Sequence, residues 1–114
     1  MKVLVVDDDE DQLALRCLIL ARNGFEILQA QDATKALQLS RAAKPDCAVV
    51  DLLLPTEDAG SALLRDLRAL YPAMRLVVLT GMPRNSVAAR LQGTADEIVE
   101  KSSGTATLVR SLRP

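Results

Sequence analysis

The sequence has no histidine and no tryptophan, and only one tyrosine, one phenylalanine and two cysteines among its 114 residues. Without histidine there is no imidazole acid or base and none of the usual nitrogen ligands for zinc. Cys17 falls on the apolar stripe of a helical pattern and Cys47 inside a buried-strand pattern, so both are expected in the core rather than in a disulfide or metal site. Neither sign of charge prevails: 14 basic residues face 15 acidic ones, a formal net charge of -1. That balance gives no general attraction to nucleic acid or to an anionic membrane, and no basic run suggests a DNA-reading helix. No apolar run reaches the roughly 18 residues of a membrane span. The N-terminus enters a strand pattern directly, without the basic segment, apolar segment and cleavage site of a secretory signal, so the cytoplasm is the expected compartment. Internal repeats, low-complexity segments and linkers are missing too, and one domain over residues 1–114 is expected.

What the sequence does have is a rhythm. Short apolar runs, each closed by a polar residue, recur as Val3-Leu4-Val5-Val6-Asp7-Asp8, Cys47-Ala48-Val49-Val50-Asp51, Leu76-Val77-Val78-Leu79-Thr80 and Ile98-Val99-Glu100-Lys101. Such runs read as strands buried on both faces. Strand one covers about Lys2 to Asp7, and Phe25 to Gln29 forms a short second strand. Helix one spans about Asp9 to Asn23, with Leu13, Cys17 and Leu20 on one face and Ala14 and Leu18 beside them. Acidic residues in its first turn suit the helix dipole, and Gly24 suits its C-terminal cap. Asp32 N-caps a second helix that ends before Pro45. Helix three covers about Gly60 to Leu70, with Leu63, Leu67 and Leu70 at core spacing. Helix four covers about Arg84 to Leu91 and helix five about Thr105 to Leu112. Five strands alternating with five helices predict a parallel sheet covered on both faces, a doubly wound three-layer α/β sandwich.

In such a sheet Asp7, Asp8, Asp51, Thr80 and Lys101 gather at one edge, the carboxyl end of the strands, where open α/β sheets bind ligands. Three carboxylates in one pocket repel, and either a proton or a divalent cation relieves them. Oxygen donors without histidine or cysteine select Mg²⁺, Mn²⁺ or Ca²⁺. Asp8 and Asp51 suit direct ligation, with Asp7 direct or through water. A metal-bound site of this kind tolerates a phosphoryl group, and Asp51 is then a candidate nucleophile, since carboxylates form aspartyl-phosphates. Lys101 would neutralise charge on the phosphoryl oxygens and Thr80 would donate a hydrogen bond. Asp9, Glu10 and Asp11 need no more than the role of helix N-terminal charge.

Val5-Val6-Asp7-Asp8-Asp9-Glu10, Val49-Val50-Asp51-Leu52-Leu53-Leu54-Pro55, Val77-Val78-Leu79-Thr80-Gly81 and Ala95-Asp96-Glu97-Ile98-Val99-Glu100-Lys101 stand in this order at the ends of four strands. Together they resemble the receiver domain of two-component response regulators, over essentially the whole chain. The resemblance implies a flavodoxin-like sandwich in which Asp51 accepts a phosphoryl group from a sensor histidine kinase or a phosphotransfer protein. It implies that Asp7, Asp8 and Asp51 hold Mg²⁺ together with the backbone carbonyl of Leu53. Lys101 would contact the phosphoryl group. Thr80 would swing toward it and change the face formed by helix four, strand five and helix five, the face that meets an output domain or partner protein and that supports weak homodimers in many members. Such a domain is a stoichiometric phosphoacceptor whose acyl phosphate hydrolyses, rather than a turnover enzyme.

Three features depart from that pattern. Ser102 stands where the family usually has proline, so a trans bond is expected after Lys101. Ile98 stands where it usually has Tyr or Phe, so the coupled threonine–aromatic movement cannot run in its usual form. The loop from Pro55 to Gly60 is one residue longer than is common. Ile98 and Ser102 keep a second reading in play, a receiver-like scaffold that binds partners without a phosphorylation cycle. An aspartate-nucleophile phosphatase would want a second aspartate two residues past the nucleophile, where this chain has Leu53. A flavodoxin-like flavin carrier would want a phosphate loop after strand one, where Asp7 to Asp11 would repel it. The chain ends two residues after Leu112 with no output domain in view, as expected either of a free-standing receiver or of the front end of a longer regulator. Neither the kinase nor its stimulus is written in these residues.

Overall fold

Successive side chains of a strand point to opposite faces of its sheet, and the valine- and leucine-rich runs use both. A computed structural model of the chain describes residues 1–113. Its strands are β1 (Lys2–Val6), β2 (Glu26–Ala30), β3 (Cys47–Asp51), β4 (Arg75–Thr80) and β5 (Glu97–Glu100). Its helices are α1 (Glu10–Arg22), α2 (Ala33–Ala43), α3 (Glu57–Leu70), α4 (Arg84–Leu91) and α5 (Thr105–Leu112). All strand pairs are parallel and the spatial order is β2-β1-β3-β4-β5. Leu4, Val6, Ala48, Val50, Leu76 and Val78 face α2, α3 and α4, whose contributions include Ala36, Leu63, Leu64, Leu67, Val87 and Leu91. Val3, Val5, Cys47, Val49, Val77 and Leu79 face α1 and α5 through Leu13, Cys17, Leu20, Leu108 and Leu112. This is the doubly wound sandwich expected from the rhythm of runs, and both cysteines are free and buried in it.

The chain reverses its winding between β1 and β3, and a crevice at such a switch point is where open sheets of this order bind ligands. The register makes the point concrete. Val6 lies opposite Val50, so Asp7 and Asp51 leave the sheet side by side. Thr80 lies opposite Glu100, so Lys101 emerges one residue beyond Thr80.

Local signals explain most element limits. The Asp9 carboxylate accepts from the N–H groups of Asp11 and Gln12 at the start of α1, and that of Asp32 accepts from the Lys35 N–H at the start of α2. Both are ordinary N-caps, and Glu10 and Asp11 in the first turn of α1 serve the dipole as expected. Gly24, just past α1, has φ 91, a left-handed conformation that side-chain-bearing residues resist.

Four expectations need correction. Helix three begins at Glu57 rather than near Gly60, because the Thr56 side chain accepts from the Ala59 N–H and caps it there. The expected Pro55–Gly60 loop is therefore mostly the first turn of α3. Leu70, expected in the core, is 53% exposed. At about 100° per residue, Gly60, Leu63, Leu64 and Leu67 define a buried face whose centre lies about 70° from Leu70, and the half-buried Tyr71 packs against the core at that end instead. Ala14 and Leu18 are exposed for the same reason, since they project from the solvent side of the narrow stripe formed by Leu13, Cys17 and Leu20. Finally, β2 starts at Glu26, with Phe25 buried ahead of it beneath the Arg113 guanidinium.

Candidate functional site

Asp7, Asp51 and Thr80 are among the few buried polar side chains, each at or just past the carboxyl end of a central strand. A carboxylate withdrawn from water needs partners, and each has a specific set. Asp51 Oδ1 accepts from the Leu53 N–H at 3.1 Å, and Oδ2 accepts from Lys101 Nζ at 2.7 Å. Asp7 Oδ1 accepts from the Asp9 N–H at 2.9 Å, and Oδ2 accepts from Arg16 Nη1 at 2.6 Å. Thr80 Oγ1 accepts from the Met82 N–H at 3.0 Å, which leaves the hydroxyl proton free to donate.

Burial pushes the Asp51 carboxyl above its ordinary range. The Lys101 and Leu53 bonds and the Lys101 charge pull the other way, and the neighbouring Asp7 charge adds to the rise. Asp51 is thus a carboxylate held near its cation partner but short of full compensation. It opens onto a cleft of about 210 Å³ that Leu53, Glu57, Thr80, Met82 and Lys101 help to line.

The strand ends thus bring Asp7, Asp51, Thr80 and Lys101 together, as expected. Asp8 follows Asp7 but its side chain is exposed. Leu53 is exposed as well and meets Asp51 through its backbone. Lys101 opens a 3-10 turn with Ser102 and Ser103, and the bond after it is trans; among the described residues the one cis bond is Leu54–Pro55. Ile98 pairs with Val78 and packs, half-buried, on the α2–α4 side of the core.

Among the described residues no three acidic or thiol side chains converge closely enough to cage a metal ion by themselves. The donors at the site are nevertheless all oxygen. An Mg²⁺ ion usually takes one or two carboxylates and keeps several waters, so the oxygen donors of the buried Asp7 and Asp51 with the exposed Asp8 suit that ion without forming a closed cage.

Sequence reasoning missed Arg16. It sits on α1 at the border of the apolar stripe, and Cα–Cβ bonds tilt toward a helix N-terminus. A long side chain there reaches back to the end of β1. A basic residue flanking the stripe, behind a strand-end acid, was the available signal. Glu57 and Arg90 form a second unforeseen pair, which ties the cleft rim to α4.

A family model described as the response regulator receiver domain matches residues 3–113. The chain is 33% identical to response regulator MprA of Mycolicibacterium vanbaalenii, across 99% of this chain and 49% of that one. It is 36% identical to transcriptional regulatory protein PrrA of Mycobacterium tuberculosis, across 98% of this chain and 48% of that one. The chain therefore spans about half the length of the curated relatives it matches. A solved response regulator from Burkholderia pseudomallei, 31% identical, superposes with a TM-score of 0.87 over 98% of this chain and 66% of its own. That structure carries a phosphorylated aspartic acid, a calcium ion and citrate.

Proposed function

The chain belongs to the response regulator receiver domain family, and on that footing we propose that it is a phosphorelay signalling switch with Asp51 as its phosphoacceptor. One observation carries the reading: a buried carboxylate at the end of β3, 2.7 Å from the Lys101 ammonium and open to a cleft edged by Thr80. A sensor histidine kinase or phosphotransfer protein supplies the phosphoryl group. An Asp51 oxygen attacks phosphorus, the phosphorus–nitrogen bond breaks, and its electron pair returns to the donor imidazole. Lys101 offers its charge to the phosphoryl oxygens, and the free Thr80 proton turns toward them. Little else is needed, because phosphoryl transfer is mostly positioning and charge.

Asp7, Asp8, Asp51 and the Leu53 carbonyl are the groups that would hold Mg²⁺, or Mn²⁺ or Ca²⁺ in its place, and the ion would offset charge on the transferring group. Thr80 lies opposite Glu100 at the end of β5, so its turning alters the face built from α4, β5 and α5. An output domain, a partner protein or a second copy of the chain reads that face. Water then hydrolyses the acyl phosphate and resets the switch, so the chain is a stoichiometric acceptor rather than a turnover enzyme. We read residues 1–114 as one receiver domain working in the cytoplasm; no described helix is long and apolar enough to cross a membrane.

The test is thermal stability with Mg²⁺ alone, beryllofluoride alone and both, for the native chain and Asp51→Asn. Beryllofluoride stands in for the phosphoryl group on a carboxylate oxygen. A ligand that binds only the folded chain raises its melting temperature by mass action. The expected result is a joint shift that Asp51→Asn abolishes. The absence of a joint shift at saturating concentrations overturns the switch and favours a partner-binding scaffold.

A further inference from the structure

Asp7 is 99% withdrawn from solvent, and an arginine answers its charge. The Arg16 side chain is itself only 13% exposed, and its Nη1 stands 2.6 Å from Asp7 Oδ2. Its second terminal nitrogen is oriented by Gln12 Oε1 at 3.5 Å. Guanidinium stays protonated at any working pH, so this cation is permanent. Asp7 Oδ1 is also engaged, by the Asp9 N–H. On the other side of the site Lys101 holds Asp51. Two tethered cations thus stand against the three carboxylates of Asp7, Asp8 and Asp51, leaving the edge short of neutrality by a single negative charge.

From this we infer that Arg16 is a resident counterion that competes with the divalent metal for Asp7 and keeps the unphosphorylated site weak for Mg²⁺. The inference rests on reading Asp7, Asp8 and Asp51 as the metal-holding carboxylates. The metal must share Asp7 with the guanidinium or move it aside, and in either case two like charges meet in a poorly hydrated corner, where repulsion is little screened. A phosphoryl group on Asp51 adds negative charge to the edge, and the same metal then meets less opposition. Arg16 thereby ties tight metal binding to the occupied phosphoacceptor, so the divalent ion and the phosphoryl group favour each other more than the carboxylates alone would dictate.

The measurement is calorimetric titration with Mg²⁺ of the native chain, Arg16→Gln and Arg16→Lys, each with and without saturating beryllofluoride. Arg16→Gln should bind Mg²⁺ alone about tenfold more tightly or better, and the gain should shrink when beryllofluoride is present. Arg16→Lys keeps a charge but loses the fork, so it should fall between the two. Equal Mg²⁺ affinity in the native chain and Arg16→Gln overturns the competition, and so does weaker binding by the variant. Mg²⁺ binding by neither chain fails the metal reading itself, a distinct result. Removing Arg16 leaves the buried Asp7 with the Asp9 N–H but no cation, and the Gln variant can unfold in metal-free buffer. In that event regained cooperative unfolding on adding Mg²⁺ supports the competition. A chain that stays unfolded at Mg²⁺ concentrations saturating for the native protein overturns it.

Discussion

At Asp51 two physical demands collide. The proposed phosphoryl transfer asks for an ionised carboxylate in a site poor in water, while folding favours the neutral acid there, because burial outweighs Lys101 and the Leu53 N–H. A folded-state pKa raised above the unfolded one contributes stability at acid pH that is lost as pH rises through the folded value. The native chain should therefore be less stable at pH 7 than Asp51→Asn, which carries no charge to bury. The gap should close as pH falls through the carboxylate range, where the native acid is protonated too. Melting temperatures across that range decide it; an Asn variant less stable at pH 7 would mean that the Lys101 pair dominates instead. One residue further from the chemistry is as tightly specified. A Cβ at Gly60 would lie 2.0 Å from the Leu52 carbonyl oxygen, so α3 can approach the segment after Asp51 only because that position is glycine. The backbone there is helical, and the constraint is space rather than dihedral freedom. Gly60→Ala should cost about 1–3 kcal/mol by overpacking, measurable by urea unfolding. It should also weaken the joint effect of Mg²⁺ and beryllofluoride, since Leu52 connects Asp51 to Leu53.

At the scale of elements, Asp96 is the joint between α3, β4 and β5. Its Oδ2 accepts from the Leu76 N–H at 2.7 Å and from Arg68 Nη2 at 2.6 Å, while Arg68 also donates to the carbonyls of Thr94, Pro72 and Met74. Partial burial opposes ionisation, but the Leu76 bond and the Arg68 guanidinium outweigh it and hold the carboxyl below its ordinary range. A depressed folded pKa contributes stability that is present above the unfolded value and lost as pH falls through the folded one. Asp96→Asn should therefore be less stable than the native chain at neutral pH, with the difference fading under acid; a difference independent of pH would contradict this account. Because the carboxylate is partly exposed, screening trims the effect, and 1 M salt should narrow it further. None of this joint was legible in the sequence. The strands were, because a short continuous apolar run bounded by turn residues has few other uses, and α4 and α5 lie where the pattern put them. Strand-end residues were legible for the same reason, so Asp7, Asp51, Thr80 and Lys101 could be assembled from four runs and a parallel topology. Arg68 could not, and Arg16 showed only as a basic residue flanking the apolar stripe, since which helical side chain meets which strand end depends on how each crossover lays its helix on the sheet. The start of α3 was missed because Glu57, Asp58 and Ala59 carry no apolar signal, though Thr56 followed by two acids is itself a helix-start pattern.

For the molecule as a whole, the two thiols are probes of how it opens. Cys47 lies in β3, flanked by β1 and β4 and covered by helices on both faces, with no exposed surface. Burial first, and then the Asp46 charge, push its thiol up to about 11. Thiolate is the reacting form, so a thiol reagent at mild pH meets Cys47 only when the sheet itself comes apart. Cys17 lies at 8% exposure on a helix whose other buried apolar side chains are Leu13 and Leu20 and whose Arg16 holds Asp7, and detaching that helix uncovers it. In a Cys17→Ala chain, the rate of Cys47 modification should give an opening free energy equal to that of urea unfolding, with the same dependence on urea. In a Cys47→Ala chain, Cys17 should react faster and with a weaker urea dependence, the mark of a smaller opening. The two probes also separate what a ligand does to the molecule. If Mg²⁺ with beryllofluoride binds at the strand ends as proposed, it should slow Cys47 modification by the full mass-action factor, one plus the ratio of ligand to its dissociation constant. If α1 leaves the sheet without disturbing Asp51, Cys17 should be slowed far less. Should both thiols be protected equally, α1 and the site open as a single unit, and the Arg16–Asp7 bond that joins them is the contact through which they do so.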